Sequence, residues 1–184
     1  AQSLLQLAGN SSLLAQLTPA PTVPQLLDAA EQAYQAGYEQ NASTEFELQG
    51  LALAGIGDPL LHMDLLAEFL PAFKAKRHGV PVTIVSYGLV APNDAQALCQ
   101  QLVALEVEKL EIYLPASNPT AYQQAVKPSQ YGFSEVCQFI HTASEAGLQV
   151  TCFAYAPVAQ QSELRALALD LGARGFVLKP QPGV

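Results

Sequence analysis

The chain has 184 residues, half of them apolar and 13% charged, with a formal net charge of −8. That composition suits one domain with a sizeable core and excludes the polar excess of a disordered chain. The acidic balance argues against nucleic acid, because phosphate backbones demand clustered Lys and Arg. Lys74, Lys76 and Arg77 are read as cations ending one helix, where they suit the dipole. No apolar run approaches the ~18–20 residues that cross a bilayer. Cys99, Cys137 and Cys152 are odd in number and far apart, which is no disulfide framework and points to a reducing compartment. The chain begins at Ala1 without Met or a signal-like segment. The expected locations are therefore the cytoplasm, or a mitochondrion or plastid after presequence removal. Asn10 and Asn41 fit the glycosylation sequon, and nothing else suggests secretion.

Residues 1–20 carry Leu4, Leu5, Leu7, Leu13, Leu14 and Leu17 without clean periodicity and are read as an N-terminal arm. Residues 21–184 are read as one domain. Thr22 is a plausible cap for a helix over 24–38, whose apolar face is Val23, Leu26, Leu27, Ala30 and Tyr34. Residues 39–47 are polar and loop-like. The apolar run 51–54 predicts a strand, followed by a helix over 62–77. Residues 81–85 predict the next strand, and Asn93 or Asp94 caps a helix to about 104. A strand over 109–114, a short helix over 119–126 and a helix over 133–146 follow. Gly147 closes that last helix. Residues 150–155 predict a strand, 162–171 a helix and 175–178 the last strand.

Five apolar strands with intervening helices imply parallel strands joined by right-handed crossovers. Their runs show little alternation, so the sheet is expected to be covered by outer helices. Doubly wound sheets and barrel segments both satisfy this, and both place function at the carboxyl ends of the strands.

Gly55-Ile56-Gly57-Asp58-Pro59 directly follows a strand. A dinucleotide fingerprint would need a third glycine where Leu60 stands, which makes the Rossmann reading poor. The local reading is a tight strand-to-helix turn capped by Asp58; the alternative is a loop that a ligand approaches closely. His62, His78 and His141 lack metal-ligand spacing and read as surface residues. The three cysteines lie in apolar settings and read as core.

The run Leu53 to Leu66 (LAGIGDPLLHMDLL) resembles the segment after the second strand of radical SAM enzymes. Ser86-Tyr87-Gly88-Leu89 is similar to the family's third-strand end. Ile112 to Ala116, with Thr120-Ala121-Tyr122 and Lys127-Pro128, resembles its fourth strand. The resemblance spans about residues 20–180 and is closest to the group associated with TatD-type nucleases. It implies an α/β fold, a partial (β/α) barrel of about five parallel strands with outer helices. It also implies an S-adenosylmethionine site formed by Gly55, Gly57, Asp58, Ser86 and Tyr87, in which Gly57 and Asp58 face the amine and Ser86 and Tyr87 line the mouth.

The departures from that family are large. Its CxxxCxxC cluster motif is absent, so no 4Fe-4S cluster is expected from this chain alone. Asp58 replaces a glutamate, and Tyr113 and Pro115 replace the ribose-facing polar residues. The expectation is a non-catalytic structural or interaction subunit in a larger assembly, with no cofactor required and residual S-adenosylmethionine binding an open option. The alternatives are a fragment of a radical SAM enzyme whose cluster motif lies upstream of Ala1, and a cluster-free S-adenosylmethionine-binding module.

Overall fold

The computed structural model describes residues 21–41, 50–54, 58–157 and 160–181. The predicted N-terminal arm lies outside them, as do Gly55 and Gly57. The fold is α/β, with six helices and five parallel strands among the described residues. The strands follow chain order, β1-β2-β3-β4-β5, without the reversal that defines a doubly wound sheet. This is the topology of a partial (β/α) barrel, and it resolves the choice that periodicity left open. The chain divides into two compact units, 1–83 with 182–184, and 84–181.

In the first unit, helix α1 spans Val23–Asn41. Thr22 starts it, as expected. Its backbone N–H donates to Gln25 Oε1 at 2.8 Å and its carbonyl accepts from Leu26 at 3.0 Å, half of a capping box. The helix runs through 39–41, where a loop was expected. Strand β1 (Leu51–Leu53) follows, then a 3-10 turn (Pro59–His62) leading into α2 (Met63–Lys76). Leu66, Phe69, Leu70 and Phe73 form the buried stripe of α2, spaced at three and four. Arg77 does more than end that helix. Its guanidinium pairs with Glu31 and lies 4.2 Å from the Tyr34 ring centroid, tying α2 to α1. Hydrogen bonds from Gln35 and Arg77 hold the Glu31 carboxyl below the usual carboxylate range.

Strand β2 spans Val82–Ser86, and the second unit begins within it. There follow α3 (Ala95–Ala104), β3 (Lys109–Tyr113), α4 (Pro119–Val126), α5 (Phe133–Glu145), β4 (Gln149–Tyr155), α6 (Gln161–Asp170) and β5 (Gly175–Lys179). Asp94 precedes α3 with helical backbone angles and no side-chain capping bond, so the expected cap is not formed there. Asn118 instead caps α4, its Oδ1 accepting from Ala121 N–H at 2.9 Å, with Pro119 at the first helical position.

β3 pairs with β4 and β4 with β5, both parallel, with Ile112 opposite Cys152 and Cys152 opposite Phe176. Side chains alternate across such strands. Leu110, Ile112, Val150, Cys152, Ala154 and Phe176 point to one face and are buried. Val136, Phe139, Ile140 and Ala143 of α5 and Leu164 and Ala168 of α6 are buried as well, the helices' contribution to this core. Each fully buried aliphatic side chain there contributes roughly 1.5–3 kcal/mol. The alternate residues occupy the other face, and that face carries the candidate site.

Candidate functional site at the carboxyl ends of the strands

In parallel β/α sheets of this kind, ligand chemistry gathers beyond the carboxyl ends of the strands. Tyr113 ends β3, Phe153 and Tyr155 end β4, and Lys179 ends β5. Register puts Tyr113 opposite Phe153 and Tyr155 opposite Lys179. The Tyr113 ring lies 5.5 Å from Phe153 and 5.6 Å from Tyr155, and Phe153 and Tyr155 meet edge-on at 5.7 Å. Tyr87 adds a fourth ring, T-shaped to Tyr113 at 5.5 Å. Such tilted and edge-on contacts are what ring quadrupoles favour.

Polar groups border the rings. Lys179 Nζ lies 4.1 Å from the Phe153 centroid and pairs with Glu111, two residues before Tyr113 on the same strand face. Burial pushes the Tyr113 and Tyr155 hydroxyls above the ordinary phenol value. Neighbouring phenols add to both shifts, and Glu111 adds to that of Tyr155. All three of Tyr113, Tyr155 and Lys179 are only partly buried. The arrangement is an amphipathic wall: flat apolar faces, neutral hydroxyls, and one ammonium–carboxylate pair.

Of the residues singled out by sequence, Tyr87 belongs to this wall and is 47% exposed. Ser86 does not line a mouth. It is 3% exposed and its Oγ accepts from Gly88 N–H at 2.8 Å, so it shapes the turn after β2. Gly88 adopts φ +66°, and a Cβ there would lie 3.1 Å from Ile112, Phe139 and Val136 side-chain atoms. Only glycine fits both the conformation and the space.

Asp58 serves the turn that the local reading expected. Its Oδ1 accepts from Leu60 N–H and its carbonyl from Leu61 N–H, both at 3.0 Å, starting the turn before α2. Gly55 and Gly57, proposed with it as ligand contacts, lie outside the described residues. Sequence reading overlooked Glu111, Phe153, Tyr155 and Lys179 as site residues. The available signal was their i, i+2 spacing near the end of each strand, within runs that looked continuously apolar.

The thiols are held in their protonated form by burial. Burial pushes Cys99 and Cys137 to about 11, and burial with Cys137 nearby pushes Cys152 to about 12. A metal-ligating thiolate needs the opposite shift. Among the described residues, no three His, Cys, Asp or Glu side chains are grouped to hold a metal ion. His62, His78 and His141 are exposed. Among the same residues no helix is long and apolar enough to cross a membrane. Tyr122 of α4 is fully buried, and its hydroxyl has no partner among the described residues.

No protein-family model matches the chain, and no curated protein matches it in sequence. Among solved structures, it is similar to the carboxyl transferase domain of Rhizobium etli pyruvate carboxylase, solved with pyruvate and biocytin. The identity is 12% and the TM-score 0.46, covering 70% of this chain and 24% of that one. It is also similar to a protein described as a phosphonomutase from Burkholderia cenocepacia J2315. There too identity is 12% and the TM-score 0.46, covering 85% of this chain and 64% of that one. The chain thus spans less than two thirds of either. These structures correct the radical SAM resemblance: the α/β architecture stands, but neither similar protein is a radical SAM enzyme.

Proposed function

We propose that this chain is a binding protein whose ligand is a small ring-bearing molecule with polar substituents. The ligand would be held on the wall formed by Tyr87, Tyr113, Phe153 and Tyr155. The observation that carries this reading is the four-ring cluster, in which Tyr87, Tyr113 and Tyr155 are partly exposed around a buried Phe153, beside the Lys179–Glu111 pair. Rings left partly open to solvent offer faces on which a flat ligand stacks, at about 0.5–1.5 kcal/mol per ring. The ammonium–carboxylate pair supplies a donor and an acceptor at the rim, which fix orientation. No bond-making step is assigned to these residues.

Ligand-observed NMR with adenosine, indole and glucose as ring probes, and hexanol as the aliphatic control, tests the reading. At least one ring probe should bind at millimolar concentration and hexanol should not. Tyr113→Ala together with Tyr155→Ala should weaken that probe roughly 10-fold or more. Binding that survives both substitutions, or no binding by any ring probe, would overturn it. A second reading, as an interaction subunit, is favoured by the exposed Val177 and Leu169 near β5.

A further inference from the structure

We propose that β5, whose outer edge has no strand partner among the described residues, accepts an extended acidic segment of another protein, which adds to the sheet as a further strand. β5 is terminal in the sheet order and pairs only with β4, so one row of its backbone donors and acceptors lacks a strand partner among the described residues. Such an edge is a template for strand addition unless the fold blocks it. The usual blocks are missing at the middle of this strand. Val177 is 48% exposed, and Gly175 carries no side chain.

A groove of about 350 Å³ runs along this edge. One wall comes from the sheet (Thr151, Gly175, Val177) and the other from Arg165 and Leu169 of α6, with Arg174 at the entry to β5. Arg165 and Leu169 are four residues apart and share a helix face, and Leu169 is 51% exposed. The groove therefore has an apolar floor flanked by two guanidinium groups.

Charge selects the occupant. Arg165 and Arg174 are exposed and have no carboxylate partner among the described residues, in a chain whose net charge is −8. Two of only eight basic residues stand unpaired beside the open strand. A neutral or basic strand would leave them without counter-charges. A β5 edge from a second copy would bring the same arginines face to face. A segment with an apolar residue over Val177 and Leu169 and carboxylates at its ends meets backbone, floor and guanidiniums together. The edge shares β5 with the aromatic wall, Val177 lying opposite Phe153, but the peptide would be held by Arg165, Arg174 and the β5 backbone, which the ligand reading does not use.

The test uses the full chain labelled with ¹⁵N and two capped six-residue peptides. Both alternate valine and threonine in the middle; one has glutamate at each end, the other lysine. The glutamate peptide should shift the amides of 174–179 first and bind at least tenfold more tightly than the lysine peptide. The double variant Arg165→Glu/Arg174→Glu should reverse that preference, and Val177→Asp should weaken the glutamate peptide. The proposal is overturned by equal binding of the two peptides, by no binding of either at millimolar concentration, or by shifts centred elsewhere. Sedimentation showing a dimer whose β5 amides are already protected would also overturn it, in favour of a second copy.

Discussion

Ile112 and Tyr113 are neighbours on β3 that point to opposite faces of the sheet, and the same contrast runs through β4 and β5. Ile112, Cys152 and Phe176 lie in register on the helix-covered face, and all are buried. Tyr113, Tyr155 and Lys179 lie on the other face, partly exposed, the two rings packed together and the ammonium paired with Glu111. The first face is held by volume and the second by chemistry. A change on the helix-covered face should therefore cost stability, and one on the aromatic face should cost binding.

The largest expected effect is on the buried side. Ile112→Ala should lower unfolding free energy by about 2–5 kcal/mol in urea titrations, since it empties a site with no exposure. A loss under about 1 kcal/mol would mean the two faces are not packed so differently. Gly88→Ala strikes the junction between them, forcing a Cβ against Ile112, Phe139 and Val136 at positive φ. It should cost about 1–3 kcal/mol by the same measurement. The thiols probe burial through pH. Burial raises Cys152 from an ordinary value near 9 to about 12, so the folded state favours the protonated form. That stability is fully present below about pH 9 and is lost as pH rises from 9 towards 12, on the order of 1 kcal/mol by pH 10. Unfolding curves at pH 8 and pH 10 check the sign. Lys179→Met should have the smallest effect on stability, about 1 kcal/mol or less, because its pair with Glu111 is partly solvated. A greater loss would move the aromatic face into the core class.

Much of the architecture was legible because it follows from local chemistry. Strand positions, helix positions and the turn at Asp58 arise from apolar runs, glycine stops and caps read within a few residues, whereas the order of the strands in the sheet does not. The same locality explains the misleading family resemblance. Asp58 followed by Pro59 and Leu60 is what a strand-to-helix turn requires when the aspartate accepts from Leu60 N–H. The turn's own chemistry thus produces a motif that elsewhere accompanies a cofactor. The aromatic wall was harder to read, because Tyr113, Tyr155 and Lys179 come from three strands separated by up to 66 positions in sequence. Only the parallel register brings them together. Arg77 was misjudged for a similar reason: its partners Glu31 and Tyr34 lie on another helix.

The most direct test of the central claim is to map ring-probe binding residue by residue on the ¹⁵N-labelled full chain. The wall reading predicts that amides at 113–114, 153–155 and 179 shift first and saturate together. Shifts centred instead on the hollow lined by Pro21 and residues 60–65 would contradict it.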